Sequence, residues 1–187
     1  MSVSRGKIHD YLGMNLDYTF RGQVRVAMIS YIEEILYVFK NSDSKWGGTK
    51  SSTAPNNISV VIYYSKKLSQ NKVVEFQNLV AKTFYDTKQE IPNTCAAISF
   101  LTTRVRVTEK DDWDKLLHLM WYRRGAHTLP LTLSANVSGI LKWWVDAPFV
   151  VHPNMQRHSG GGLSLGQGFS FVSSTKQKLN TKISMKT

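Results

Sequence analysis

Asp146 closes an apolar run, Ile140-Leu141-Lys142-Trp143-Trp144-Val145, and is the last acidic residue of the chain. On the residues alone it reads as a strand-end Asp in a turn before Pro148. Other candidates fail on spacing. None of the five histidines (His9, His118, His127, His152, His158) pairs with another, or with Cys95, at a recognised metal-ligand spacing. His118 falls in a helical stretch and reads as surface or core filler. Cys95 sits in an apolar helix start and reads as a buried structural thiol rather than a nucleophile. Gly160-Gly161-Gly162 is followed by no Lys-Ser or Lys-Thr at Walker spacing, so strand-edge glycines are the better reading than a phosphate loop. Asn136-Val137-Ser138 matches the glycosylation triplet, but no signal peptide precedes it to direct a secretory route.

The basic groups form two sets. Arg104, Arg106, Arg123 and Arg124 lie near helix ends, and Lys176, Lys178, Lys182 and Lys186 make a C-terminal run. Either set could track a phosphate backbone, with Trp143, Trp144 or Tyr122 available for stacking. A solvated face and a frayed tail are the alternatives. The formal charge of +11 and a pI of 9.8 favour polyanionic partners through phosphate neutralisation and counterion release. With 42% apolar residues and five Trp, global disorder is excluded as a description. A single cysteine allows no intrachain disulfide, no apolar run approaches a membrane span, and the expected location is intracellular.

The elements that must position these residues follow from periodicity. Tyr11 to Tyr18 and Gln23 to Ala27 flank Arg21-Gly22 and predict a β-hairpin. Met28, Ile29, Ile32, Leu36 and Phe39 recur at helical spacing. Asn41 to Asn57 is rich in Ser, Gly, Thr, Asn and Lys and reads as a loop or linker anchored by Trp46. A second helix is predicted over Lys72 to Thr87, with Phe76, Leu79, Val80 and Phe84 on one face. Asn93 offers an N-cap to a third, carrying Ala96, Ala97, Phe100 and Leu101. A fourth starts near Asp111 and Asp112, which suit the positive end of the helix dipole, and ends at Arg123, Arg124 and Gly125. Strands are then predicted over 129–133, 140–151, 163–165 and 169–172.

Three stretches in order resemble copia-type retroelement polyproteins. His9-Asp10-Tyr11-Leu12-Gly13-Met14 resembles the hairpin that closes the reverse transcriptase palm. Lys82 to Arg106 and Asp112-Trp113 through Tyr122 resemble the helical connection that follows. Lys142-Trp143-Trp144-Val145-Asp146-Ala147, His152-Pro153, His158-Ser159-Gly160-Gly161 and Ser174-Thr175-Lys176-Gln177-Lys178 resemble the opening of the RNase H domain. The resemblance implies a primer grip at Leu12, Gly13 and Met14, and makes Asp146 the first RNase H carboxylate and a metal ligand. In that family such a residue serves a two-metal phosphodiester hydrolysis, which needs several carboxylates around the ions. It implies template–primer contacts for the Arg set, and Mg2+ or Mn2+ in the parent enzyme. The Tyr-x-Asp-Asp turn of the polymerase is not found before Gly6, and Lys186 stands where the second RNase H glutamate belongs. An ammonium there reverses the local electrostatics. Ile91-Pro92-Asn93 also replaces the family's usual Arg-Pro-Asp, and Pro148 follows Asp146 closely.

The expectation is therefore an α+β chain. Residues 6–133 would carry the palm-end hairpin and a thumb and connection-like region, and residues 134–187 the truncated start of an incomplete RNase H-like mixed sheet. The isolated chain would be non-catalytic and hold no metal, although its parent makes DNA on RNA and degrades RNA in hybrids. The alternative is a basic nucleic-acid-binding module with RNA–DNA hybrid or another nucleic acid as partner. A sheet short of covering helices would expose one face and invite self-association. A partner chain supplying the missing carboxylates is a third possibility.

Overall fold

The computed structural model describes residues 5–42, 62, 65–146 and 158–178. The loop with Trp46, Pro148, His152-Pro153, Lys182, Lys186 and the final Ser184–Thr187 stretch lie outside them. The fold is α+β. Strands β1 (Ile8–Tyr11), β2 (Met14–Asp17) and β3 (Gln23–Ala27) form an antiparallel meander. The stretch expected as one strand is thus two. Leu12 (φ 50°) and Gly13 (φ 80°) turn the chain between them. Two successive left-handed residues match the right-handed twist of a tight hairpin, and Gly adopts that conformation without steric cost.

Helix α1 (Ile29–Ser42) follows, then α2 (Gln70–Gln89). Their buried faces carry Ile32, Ile35, Leu36 and Phe39 on one and Phe76, Leu79 and Val80 on the other, at the spacing that places residues on one side of a helix. A short 3-10 turn, Pro92–Thr94, leads into α3 (Cys95–Thr102). Thr94, not Asn93, occupies the N-cap position, because Pro92 starts the tight turn one residue earlier than expected. Helix α4 (Lys110–Ala126) opens on a capping box in which Glu109 and Asp112 satisfy each other's backbone N–H groups. It runs through Gly125 instead of stopping there. Phe39 and Trp113 stack at 5.4 Å between ring centres in the common core of α1 and α4.

Strand β4 (Leu131–Ala135) returns to pair with β3, and the two-residue β7 (Gly166–Gln167) pairs with β4, giving the sheet order β1-β2-β3-β4-β7. Strands β5 (Lys142–Asp146), β6 (His158–Ser164) and β8 (Phe171–Lys176) make a second sheet in the order β5-β6-β8. Every pairing among the described residues is antiparallel, so neither sheet is mixed as expected. Strand β4 spans residue 134 and bonds to β3 from one side of it and β7 from the other. Gly168, at φ 74°, brings the backbone so close to Thr132 that any Cβ would strike its carbonyl. The three glycines 160–162 lie within β6 itself.

Candidate functional site

Asp146 is at the exposed end of β5, an edge strand whose five residues are all exposed. Alternation places Lys142, Trp144 and Asp146 on the face turned towards the helices, with Trp143 and Val145 on the other. Across the ladder Asp146 lies opposite Gly160, and Gly160 opposite Ser174. The cross-strand neighbours of the carboxylate are therefore a glycine and a hydroxyl. Lys176 belongs to the same face, opposite His158. The His158 imidazole contacts the Ser174 hydroxyl, both side chains being buried, and burial pushes the His158 pKa down, favouring the neutral ring.

A cleft of about 570 Å³ opens between this face and the start of α3. Pro92, Asn93 and Cys95 form one wall, and Trp144, Asp146 and Phe169 line the other. Cys95 is buried, 3.9 Å from the Ser99 hydroxyl, as a structural thiol would be. Among the described residues no group of three or more His, Cys, Asp or Glu side chains is placed to hold a metal ion. No described helix is long and apolar enough to cross a membrane.

The other predicted site residues fall on separate elements. Leu12 and Gly13 form the tip of the first hairpin, where Leu12 is exposed and its carbonyl accepts a hydrogen bond from the Tyr85 hydroxyl at 2.9 Å. Met14 packs against the helical core. Arg106 and Lys178 are exposed. Arg104 is not available in the same way. Its Nε donates to Asp112 Oδ1 at 2.9 Å, and its side chain is mostly covered. Arg124 is half-buried on α4.

Arg123 corrects the sequence reading outright. Expected as a phosphate contact, it is wholly buried and ion-paired with Asp86 of α2. A helix-terminal position was taken as exposure, but residue 123 falls on the inward face with Leu116, Leu119 and Met120. Its Nη1 also donates to Thr87 Oγ1 at 3.0 Å, and Thr87 in turn meets Thr94 Oγ1 at 3.0 Å. Near this pair, Glu90 Oε2 accepts the Met28 backbone N–H at 2.8 Å, fixing the start of α1 to the end of α2. Burial pushes the Asp86 carboxyl up to about 6 against the pull of Arg123. Glu90 is pushed up to about 7 by burial, and the Met28 N–H opposes the rise. One guanidinium cannot neutralise two buried carboxylates, so the second group tends to hold a proton.

This polar cluster was missed from the sequence. A signal existed: the buried stripe of α2, Phe76, Leu79, Val80 and Thr83, continues at helical spacing into Asp86, Thr87 and Glu90. An apolar stripe that turns ionic without leaving its face needs a buried counter-charge. The arrangement ties α2, α4 and the β3–α1 junction together and has no access to solvent, which makes it a structural lock rather than a reaction centre. Comparison of the chain with protein-family models, with curated proteins and with solved structures found no match.

Proposed function

We propose that this chain is a piece of a copia-type retroelement polyprotein, from the end of the reverse transcriptase into the RNase H region, that holds nucleic acid and does not cut it alone. The ancestry rests on the three ordered sequence stretches. The observation that carries the loss of catalysis is the setting of Asp146. Its nearest cross-strand neighbours on the shared face are Gly160 and Ser174, where a two-metal site calls for further carboxylates. Among the described residues Mg2+ or Mn2+ would find one carboxylate ligand there, too little to organise hydrolysis. A net charge of +11, with Arg106 and Lys178 exposed, supports contact with a phosphate backbone.

The test is incubation of the purified chain with labelled RNA–DNA hybrid and Mn2+, resolved on native and denaturing gels. The expected result is intact RNA and a shift that fades steeply with salt. RNA cleavage abolished by Asp146→Asn would overturn the non-catalytic reading. Intact RNA with no shift at low salt, from a folded sample, would overturn the binding.

A further inference from the structure

Among the described residues strand β5 is open on one side. It bonds to β6 along its whole length, Lys142 opposite Ser164 through Asp146 opposite Gly160, and among the described residues no strand pairs with its other edge. An open edge presents a row of unpaired N–H and C=O groups that can template another strand. This edge is also apolar at its centre. Trp143, Trp144 and Val145 are 57%, 58% and 69% exposed, and Trp143 stacks with Phe171 at 6.3 Å on the outer face of the sheet.

The order of charges along β5 identifies what fits it. A lysine begins the strand and an aspartate ends it, two positions either side of Trp144. In an antiparallel pairing of the strand with itself, centred on Trp144, Lys142 of each copy falls opposite Asp146 of the other. Trp143 then falls opposite Val145. Lys142, Trp144 and Asp146 share one face and Trp143 and Val145 the other, so each cross-strand pair keeps to its own face. A register slipped by two residues in either direction loses both charge pairs and leaves an end of each strand unmatched. The strand is self-complementary in charge, in apolar bulk and in face at one register only.

We infer that β5 is a homodimerisation edge: two copies of this chain join antiparallel through Lys142–Asp146 about a two-fold axis at Trp144, fusing their three-stranded sheets into one. The contact is isologous, as closed symmetric dimers require. It covers the edge, buries the central tryptophans together, and gives Asp146 an ammonium partner in the second copy. It does not depend on the nucleic-acid reading.

The test is sedimentation velocity on the full chain over a range of micromolar concentrations, with circular dichroism to confirm the fold of each sample. Wild type should show a reversible monomer–dimer equilibrium. Asp146→Lys sets lysine opposite lysine at both ends, and Lys142→Asp sets aspartate opposite aspartate. Each variant alone should self-associate at least about tenfold more weakly. Mixed in equal amounts, they restore both opposite-charge pairs and should form a heterodimer of near wild-type strength. A wild type that stays monomeric, single variants that dimerise as well as wild type, or a folded mixture that stays monomeric would each overturn the assignment.

Discussion

Arg123 on α4 faces Asp86 on α2 in an ion pair with no exposed surface on either side chain. Taking two charges out of water carries a large desolvation cost, and their attraction offsets it only while both are present. Truncation of one partner should therefore be far worse than removal of both. Arg123→Ala is expected to lower stability by about 3–5 kcal/mol. Arg123→Met combined with Asp86→Leu should recover most of that loss. Urea unfolding of the two variants checks this, and an unchanged midpoint for Arg123→Ala would rule the lock out.

Glu90 gives this region a pH dependence. Its folded-state value of about 7 lies above the ordinary 4.5 because burial disfavours the carboxylate. Between those values the folded chain holds more protons than the unfolded one, so stability falls as pH rises through the window. Asp86, pushed up to about 6 from 3.8, acts in the same direction over a lower range. The neutral isostere Glu90→Gln should remove its share of the slope. Urea midpoints of both proteins at about pH 5 and about pH 8 measure it, with the wild type expected to lose more on going up. Parallel profiles would show that Glu90 does not carry the effect.

The start of α4 concentrates several bonds on Asp112. Its Oδ2 accepts the Glu109 backbone N–H at 2.9 Å and its Oδ1 accepts from Arg104. Asp112→Ala removes the reciprocal cap and leaves Arg104 half-buried beside Glu109 alone. A loss of roughly 2–3 kcal/mol is expected, at or above the upper end for a simple cap because the Arg104 bond is lost with it. Glu109→Ala should cost less, about 1 kcal/mol. Thermal melts of the two variants rank them, and the reverse order would contradict this geometry.

The proposed hybrid binding separates the basic residues by exposure. Arg106→Ala removes an exposed cation and should reduce the salt dependence of binding by about one phosphate contact. Arg104→Ala should leave the slope unchanged, because its guanidinium is already engaged by Asp112. Titrations at several salt concentrations separate the cases. A reduced slope for Arg104→Ala with no change for Arg106→Ala would place the nucleic acid elsewhere.

Gly168 holds a close crossing between the chain after β7 and strand β4. At φ 74° an added Cβ would strike the Thr132 carbonyl and approach Leu133 Cδ2 to 2.8 Å. Gly168→Ala is expected to lower stability by about 1–3 kcal/mol, from backbone strain and the forced shift of β4 together. Gly22→Ala, with a similar φ but open space around it, should cost less. Equal losses for the two in urea would mean that the crossing contributes nothing beyond the φ angle.

Much of the architecture was legible because local rules agreed with the global fold. The four helices lie within a few residues of where their apolar spacing put them, and Asp111 and Asp112 marked the start of α4. The errors have specific causes. The apolar pattern ran unbroken from Tyr11 to Tyr18 and hid the turn at Leu12-Gly13, where the resemblance alone had put a hairpin. The basic residues of the candidate site were sorted by position along a helix rather than around it, and Arg123 was misplaced for that reason.

The sequence by itself determined the basic surplus, the helical faces, the single cysteine and the isolation of Asp146 at the end of its apolar run. These are properties of composition and of neighbours within a few residues, which short-range periodicity encodes. Tertiary structure alone decided that β3 and β7 share β4, that Arg123 turns inward to Asp86 across 37 positions, and that Lys142 and Asp146 border an edge left free among the described residues. Each depends on which distant segments come into contact. A side chain's burial, its counter-ion and the openness of a strand are set by those contacts, and no local spacing records them.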